Sequence, residues 1–306
     1  MNYYPSAMNY HKIRGKGNTP KGTKFIKSLY FSTMQAPNCL NCEHPVSPQQ
    51  NFCSTCGQQT AAHRLSLHDV SHDALHYFTH ADKGIFSLLW QLLKKPGVVA
   101  REYVAGKRRK YFPPLNFFLI VAAMYVFMLN TVAPSSKEQV IPVDVKAKYE
   151  NIKDPVTKAQ VGAILERRVK SSQFISRYAN FVAMIATPLI ALFLWLFYRK
   201  GRYNYTEHLV ANMYFSGFTV LSFALVFGPI MRLLNLGGGF NVVLLSFFVF
   251  EVGYRSISYY YFIHKKTTAS AVKAVLTSIA VIFIWFILVF ATIYFYVSSG
   301  FWGLLS

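Results

Sequence analysis

The chain has 306 residues, 53% of them hydrophobic and only 14% charged, yet its formal net charge is +20. So apolar a composition disfavours a pair of soluble domains. The basic residues are scattered over loops and segment ends, with no basic recognition helix or aromatic RNA-binding pattern, so an anionic membrane surface fits the charge better than nucleic acid.

Residues 1–35 begin with a basic stretch (Lys12, Arg14, Lys16, Lys21, Lys24, Lys27) and contain no acid. Without an apolar core this is not a secretory signal, and it reads as a disordered leader. Met34, five residues before the first cysteine, is an alternative start.

All four cysteines follow within eighteen residues, as Cys39-Leu-Asn-Cys42 and Cys53-Ser-Thr-Cys56-Gly57. Two CxxC pairs are the knuckles of a zinc ribbon, here residues 36–60. Each pair takes one side of a tetrahedral ion, and Gly57 permits the tight turn after it. Two disulfides are the plainer alternative, disfavoured in the cytosol. Four thiolates fill the shell of the metal and leave no open position for water, so this zinc is expected to be structural.

Residues 64–112 read as amphipathic helices at the membrane interface. Ser66 and Asp69 form a capping box. Beyond it His68, His72, His76 and His80, with Asp69 and Asp73, fall on one arc of a helix, opposite Leu67, Val70, Leu75 and Phe78. Imidazoles at i and i+4 can share a metal, which makes this face a candidate second metal site or proton relay; a titratable surface face is the plainer reading. Helices over Ile85–Lys95 and Val98–Ala105 follow, and Gly106 stops the second. Lys107, Arg108, Arg109 and Lys110 then form a collar expected to face anionic headgroups.

A bilayer core needs about 20 apolar helical residues. Five runs suffice: Leu115–Val132, Ala179–Tyr198, Leu209–Leu234 (interrupted by Gly217, Gly228 and Pro229), Phe240–Ile263 and Val272–Val297. Lys107–Lys110, Arg199, Lys200, Arg202, Lys265, Lys266 and Lys273 mark one side, which places the N-terminus inside and the C-terminus outside. The external loop 133–178 strains that rule with Arg167, Arg168, Lys170 and Arg177, and its Pro155–Ser172 stretch reads as a surface helix. The fold class is therefore mainly α: a polytopic helical membrane protein with a small N-terminal zinc ribbon of four cysteines and interfacial amphipathic helices.

Ionisable residues in the spans are functional candidates by default. Glu207 and His208 lie at the mouth of the third span, and Glu251 and Arg255 lie one turn apart in the fourth. In the plainer reading the last two neutralise each other and Arg255 snorkels to the surface.

The order CxxC…FCxxCGQ (Cys39 to Gln58), HADKGIFSLLWQLLKKPG (His80 to Gly97) and REYVAGKRRKYFPPL (Arg101 to Leu115) resembles a bacterial family of multi-pass inner-membrane proteins of unknown function. The resemblance covers about residues 36–130 and implies a zinc-ribbon head on a hydrophobic body. It transfers no catalytic residue. No Walker loop, dinucleotide-binding glycines, HExxH or nucleophile elbow is present in the sequence. The leading expectation is a non-enzymatic membrane protein whose ribbon recruits a cytosolic partner or supports assembly. A transporter using Glu207, Glu251 and Arg255 and a metalloenzyme using the His68–His80 helix are the alternatives.

Overall fold

A computed structural model describes residues 38–47, 49–60, 63–77, 84–132, 146, 149–177, 179–233, 239–265 and 267–299. The leader 1–35, His80 and the C-terminal residues 300–306 lie outside these. The described residues are mostly helical, in a polytopic arrangement. The head contributes two isolated β-bridges, and no strand is present among the described residues.

Three short helices follow the head: α1 (Leu67–Tyr77), α2 (Gly84–Lys94) and α3 (Val98–Val104). The Ser66–Asp69 box forms as the sequence predicts: the Ser66 N–H and hydroxyl each donate to Asp69 Oδ2 at 2.8 Å, and the Asp69 N–H donates back to Ser66 Oγ at 3.3 Å. On α2, Leu88 and Leu92 turn inward while Phe86, Trp90 and Leu93 remain exposed, an outward apolar stripe suited to the membrane interface. α3 turns one face inward. Val99, Ala100 and Tyr103 are buried, because Gly97 at φ 80° brings the α2–α3 turn onto the backbone of a spanning helix.

The body consists of α4 (Pro114–Val132), α5 (Pro155–Arg177), α6 (Ala179–Phe197), α7 (Tyr205–Ser222), α8 (Gly228–Leu233), α9 (Gly239–Ile263) and α10 (Thr268–Ser299). Among the described residues, four stretches are long and apolar enough to cross a membrane: Arg108–Met128, Tyr205–Met231, Val242–Ile263 and Thr268–Ser298. The second expected span forms a shorter apolar helix, Met184–Phe197, within α6, which also contains Pro188. Contacts place the start of α4, the end of α6, the start of α7, the end of α9 and the start of α10 at the head end. Tyr214 of α7 donates to the Phe112 carbonyl at 2.7 Å, Tyr198 stacks on Tyr259, and Lys273 lies over Tyr198. These five helices therefore alternate in direction. α7 is the central one, buried on almost every side, and Gly217 lets the Phe117 ring of α4 press against it.

Pro229 has no N–H to give the preceding turn. The chain passes this point through a π-helical turn, Phe223–Phe227, packed on Phe247 and Tyr125. At the far end, Arg167 of α5 donates to the Val297 and Ser298 carbonyls at 3.2 Å. One of the basic residues that strain the charge rule thus caps the C-terminus of α10. Outward-facing Leu245, Val249, Phe283, Ile287 and Phe290 form an exposed apolar surface of the kind a bilayer covers.

Candidate functional site

The four cysteines converge. Cys39 and Cys56 sulfurs are 3.5 Å apart, Cys42 and Cys53 sulfurs 3.6 Å, and all four lie within 4.8 Å of one another. None is in a disulfide. The knuckles are near copies: Asn38 bridges to Pro45 as Phe52 bridges to Gln59, and Cys39 N–H donates to the His44 carbonyl as Cys53 N–H donates to that of Gln58. The residue after each pair takes a left-handed conformation, Gly57 at φ 70° and Glu43 at φ 63°. Only the glycine was visible as a turn signal in the sequence. Backbone N–H groups of Cys56 and Thr55 draw the Cys53 thiol down to about 6. Although a backbone hydrogen bond at His44 favours its thiolate, Cys42 is pushed up to about 12 by desolvation and the neighbouring sulfurs. The neighbouring sulfurs raise Cys42 and lower Cys53 and Cys56, so the four share their protons within one cluster, a grouping that could hold a metal ion.

The head rests on the collar. Gln58 is buried and its Oε1 accepts from the Arg109 N–H at 3.0 Å, while Arg108 Nη2 donates to the His63 carbonyl at 3.1 Å. Lys107 and Lys110 instead pair with Glu102 at 3.8 and 2.7 Å. Partial burial would raise the Glu102 carboxyl, but Lys110, Tyr111 and Lys107 hold it below the usual carboxylate range. Of the collar residues expected to face headgroups, Arg108 and Arg109 thus support the head.

On α1, His68 and His72 stack with ring centroids 6.1 Å apart, and His63 Nε2 reaches Asp69 Oδ1 at 3.2 Å. Partial burial raises the Asp69 carboxyl, but the Ser66 N–H, the Ser66 hydroxyl and His63 outweigh it and hold the group at about 2. Asp73 and His76 fall within α1, and His80 lies outside the described residues. Among the described residues, the four cysteines are the group whose ligand atoms converge as a metal shell.

Glu207 is the third residue of α7 and forms a second capping box with Asn204, one the sequence reading missed although Asn204 and Glu207 have the spacing. Its carboxylate also accepts from Arg64, and Asn204 Nδ2 donates to the Leu65 carbonyl at 3.2 Å. His208 is fully buried. Tyr198 and Tyr259 stack on it, Tyr203 and Phe262 meet it edge-on, and its Nδ1 lies 3.5 Å from the Tyr259 hydroxyl.

Arg255 does not snorkel. It is 1% exposed, turned inward by polar partners on α7: Nη1 donates to Asn212 Oδ1 at 2.5 Å, and Nη2 donates to Ser216 Oγ at 3.3 Å and to Glu251 Oε1 at 2.9 Å. Two polar rows at helical spacing therefore face each other, His208-Asn212-Ser216 on α7 and Glu251-Arg255-Tyr259 on α9. Asn212 and Ser216 went unremarked in the sequence, though their four-residue step from His208 was the signal available. Glu207 and the Glu251–Arg255 pair belong to separate groupings, one under the head and one inside the bundle.

Residues 82–126, spanning α2, α3, the collar and most of α4, match the model of a family described as a protein of unknown function (DUF3667). No curated protein and no solved structure matches the chain. The similarity therefore falls on the segment that joins head to body.

Proposed function

We propose that this is a non-enzymatic membrane protein whose head is folded by a structural zinc ion and serves assembly of the membrane body. The carrying observation is the convergence of Cys39, Cys42, Cys53 and Cys56 in a head seated on the collar and on the start of α7. Four thiolates satisfy zinc completely, so the ion contributes folding free energy and offers no position for catalytic water. A bacterial inner membrane with the head in the cytoplasm agrees with Arg199, Lys200, Arg202 and Lys265 at the head end of the bundle, and a reducing cytoplasm suits free thiols.

The test is elemental analysis of the full-length protein purified in detergent. One zinc per chain is expected, absent from the Cys39→Ser/Cys53→Ser variant, which should also unfold at lower temperature. A metal-free wild-type protein, or a redox-cycling disulfide among these cysteines, would overturn the assignment.

A further inference from the structure

Between the head, α1 and the collar lies a cleft of about 500 Å³, lined by His63, His68, Asp69, His72, Arg108 and Arg109 among others. Pro113, at the mouth of the first span, forms part of its wall. Lys107 and Lys110 are drawn away to Glu102, so the collar is divided and its two guanidinium groups are the ones that line the cleft. Among the described residues the acid lining the cleft, Asp69, is already committed: it accepts from the Ser66 N–H and hydroxyl and pairs with His63. Arg108 is held by the His63 carbonyl, and the Arg109 guanidinium lies against the backbone at Gly57. Among the described residues, two guanidinium groups, one of them held by a carbonyl, stand against one carboxylate, and three imidazoles surround the same space, so the wall is rich in donors.

We propose that this cleft binds a phosphate monoester, either on a lipid headgroup or on a small soluble molecule. Guanidinium forks match phosphate oxygens in pairs, and a dianionic monoester has enough terminal oxygens to engage both arginines and an imidazole together. Lysines at the collar would give only a diffuse attraction to any anionic surface. The cleft needs the head in place, since Phe52, Gly57, Gln58 and Gln59 form one wall; in that respect the proposal rests on a folded, metal-bound head.

The experiment uses the full-length protein in phosphatidylcholine nanodiscs, with equilibrium dialysis of radiolabelled inorganic phosphate and zinc content measured on the same samples. Wild type should bind saturably. Arg108→Gln/Arg109→Gln should weaken binding by about tenfold or more, the scale of one lost charge-assisted hydrogen bond, whereas Lys107→Gln/Lys110→Gln should change it less than about twofold. If the arginine variant loses its zinc, His68→Gln/His72→Gln decides the matter on an intact head, with about threefold weakening expected. Adding phosphatidic acid to the discs distinguishes the sources: competition with inorganic phosphate identifies a lipid headgroup, and undisturbed binding identifies a soluble monoester. No saturable binding by zinc-loaded wild type, or equal loss in the lysine and arginine variants, would overturn the site. Loss of zinc from wild type would instead count against the structural-metal reading.

Discussion

Arg64 grips Glu207 with two nitrogens, Nε to Oε1 at 3.1 Å and Nη2 to Oε2 at 3.2 Å, across 143 positions of sequence. The same guanidinium reaches the Arg202 carbonyl at 2.6 Å. This pair fastens the link between head and α1 to the first turn of the central helix. Its members are unequal: the Glu207 side chain is 6% exposed and that of Arg64 58%.

That inequality predicts an order of effects. Arg64→Ala removes the exposed partner and should cost about 1–2 kcal/mol, the range for a hydrogen bond to a charged group discounted for solvent screening. Glu207→Ala also abolishes the α7 capping box and should cost about 2–4 kcal/mol. Thermal unfolding of the two variants in detergent should show Glu207→Ala melting lower; equal melting temperatures would contradict the anchoring role.

Gly97 supports a second, sharper contrast. Its φ is 80°, and a Cβ there would lie 2.0 Å from the Ser258 carbonyl oxygen and 2.9 Å from the Phe262 nitrogen, both backbone atoms that cannot rotate aside. Gly97→Ala should destabilise by about 2–5 kcal/mol, combining a left-handed conformation with overpacking. Gly253, inside α9, has nothing within 4 Å of an added Cβ, so Gly253→Ala should be neutral or stabilising by up to about 1 kcal/mol. A tolerated Gly97→Ala would mean that α3 does not pack on α9 as described.

Why one part of this architecture is legible in the chain and another is not comes down to sequence distance. The cysteine knuckles, the Ser66–Asp69 box and the apolar runs are local patterns, each set by spacing within a few residues. Glu43 carries no mark of its left-handed backbone, because the knuckle imposes that conformation. Gly97 reads as the end of a helix; its close approach to Ser258 is a tertiary fact. The burial of α3 and the turn of Arg255 toward Asn212 likewise depend on which helices become neighbours, which hydrophobic periodicity alone does not state.

The Asp69 carboxyl gives a pH prediction. Its folded value, about 2, is depressed below the ordinary 3.8 by Ser66 and His63. A depressed acid contributes stability above its unfolded value and loses it as pH falls through the folded one. The difference in melting temperature between wild type and Asp69→Ala should therefore be fully present at about pH 5 and narrow between about pH 4 and 2. Protonation of the four cysteines affects both proteins alike and cancels in the difference. A gap that stays constant down to pH 2 would show that the carboxylate does not gain these partners on folding.

Inside the bundle, Arg255 and Glu251 make the most consequential pair. Arg255 gathers Asn212 Oδ1, Ser216 Oγ and Glu251 Oε1, and its side chain is 1% exposed against 22% for Glu251. Arg255→Leu strands three acceptors in a place water reaches poorly. Removing one member of a buried charged pair typically costs about 3–5 kcal/mol. Glu251→Gln keeps a carbonyl acceptor for the guanidinium, and the carboxamide sits closer to the surface, so about 1–2 kcal/mol is expected. Arg255→Leu/Glu251→Leu should recover part of the single-arginine loss, because an apolar pair leaves no buried charge between α7 and α9. Unfolding of the three variants in the same detergent should rank Glu251→Gln above the double variant and the double variant above Arg255→Leu. If Arg255→Leu were the most stable of the three, the arginine would contribute nothing to holding the helices together, and its burial would need a role outside stability.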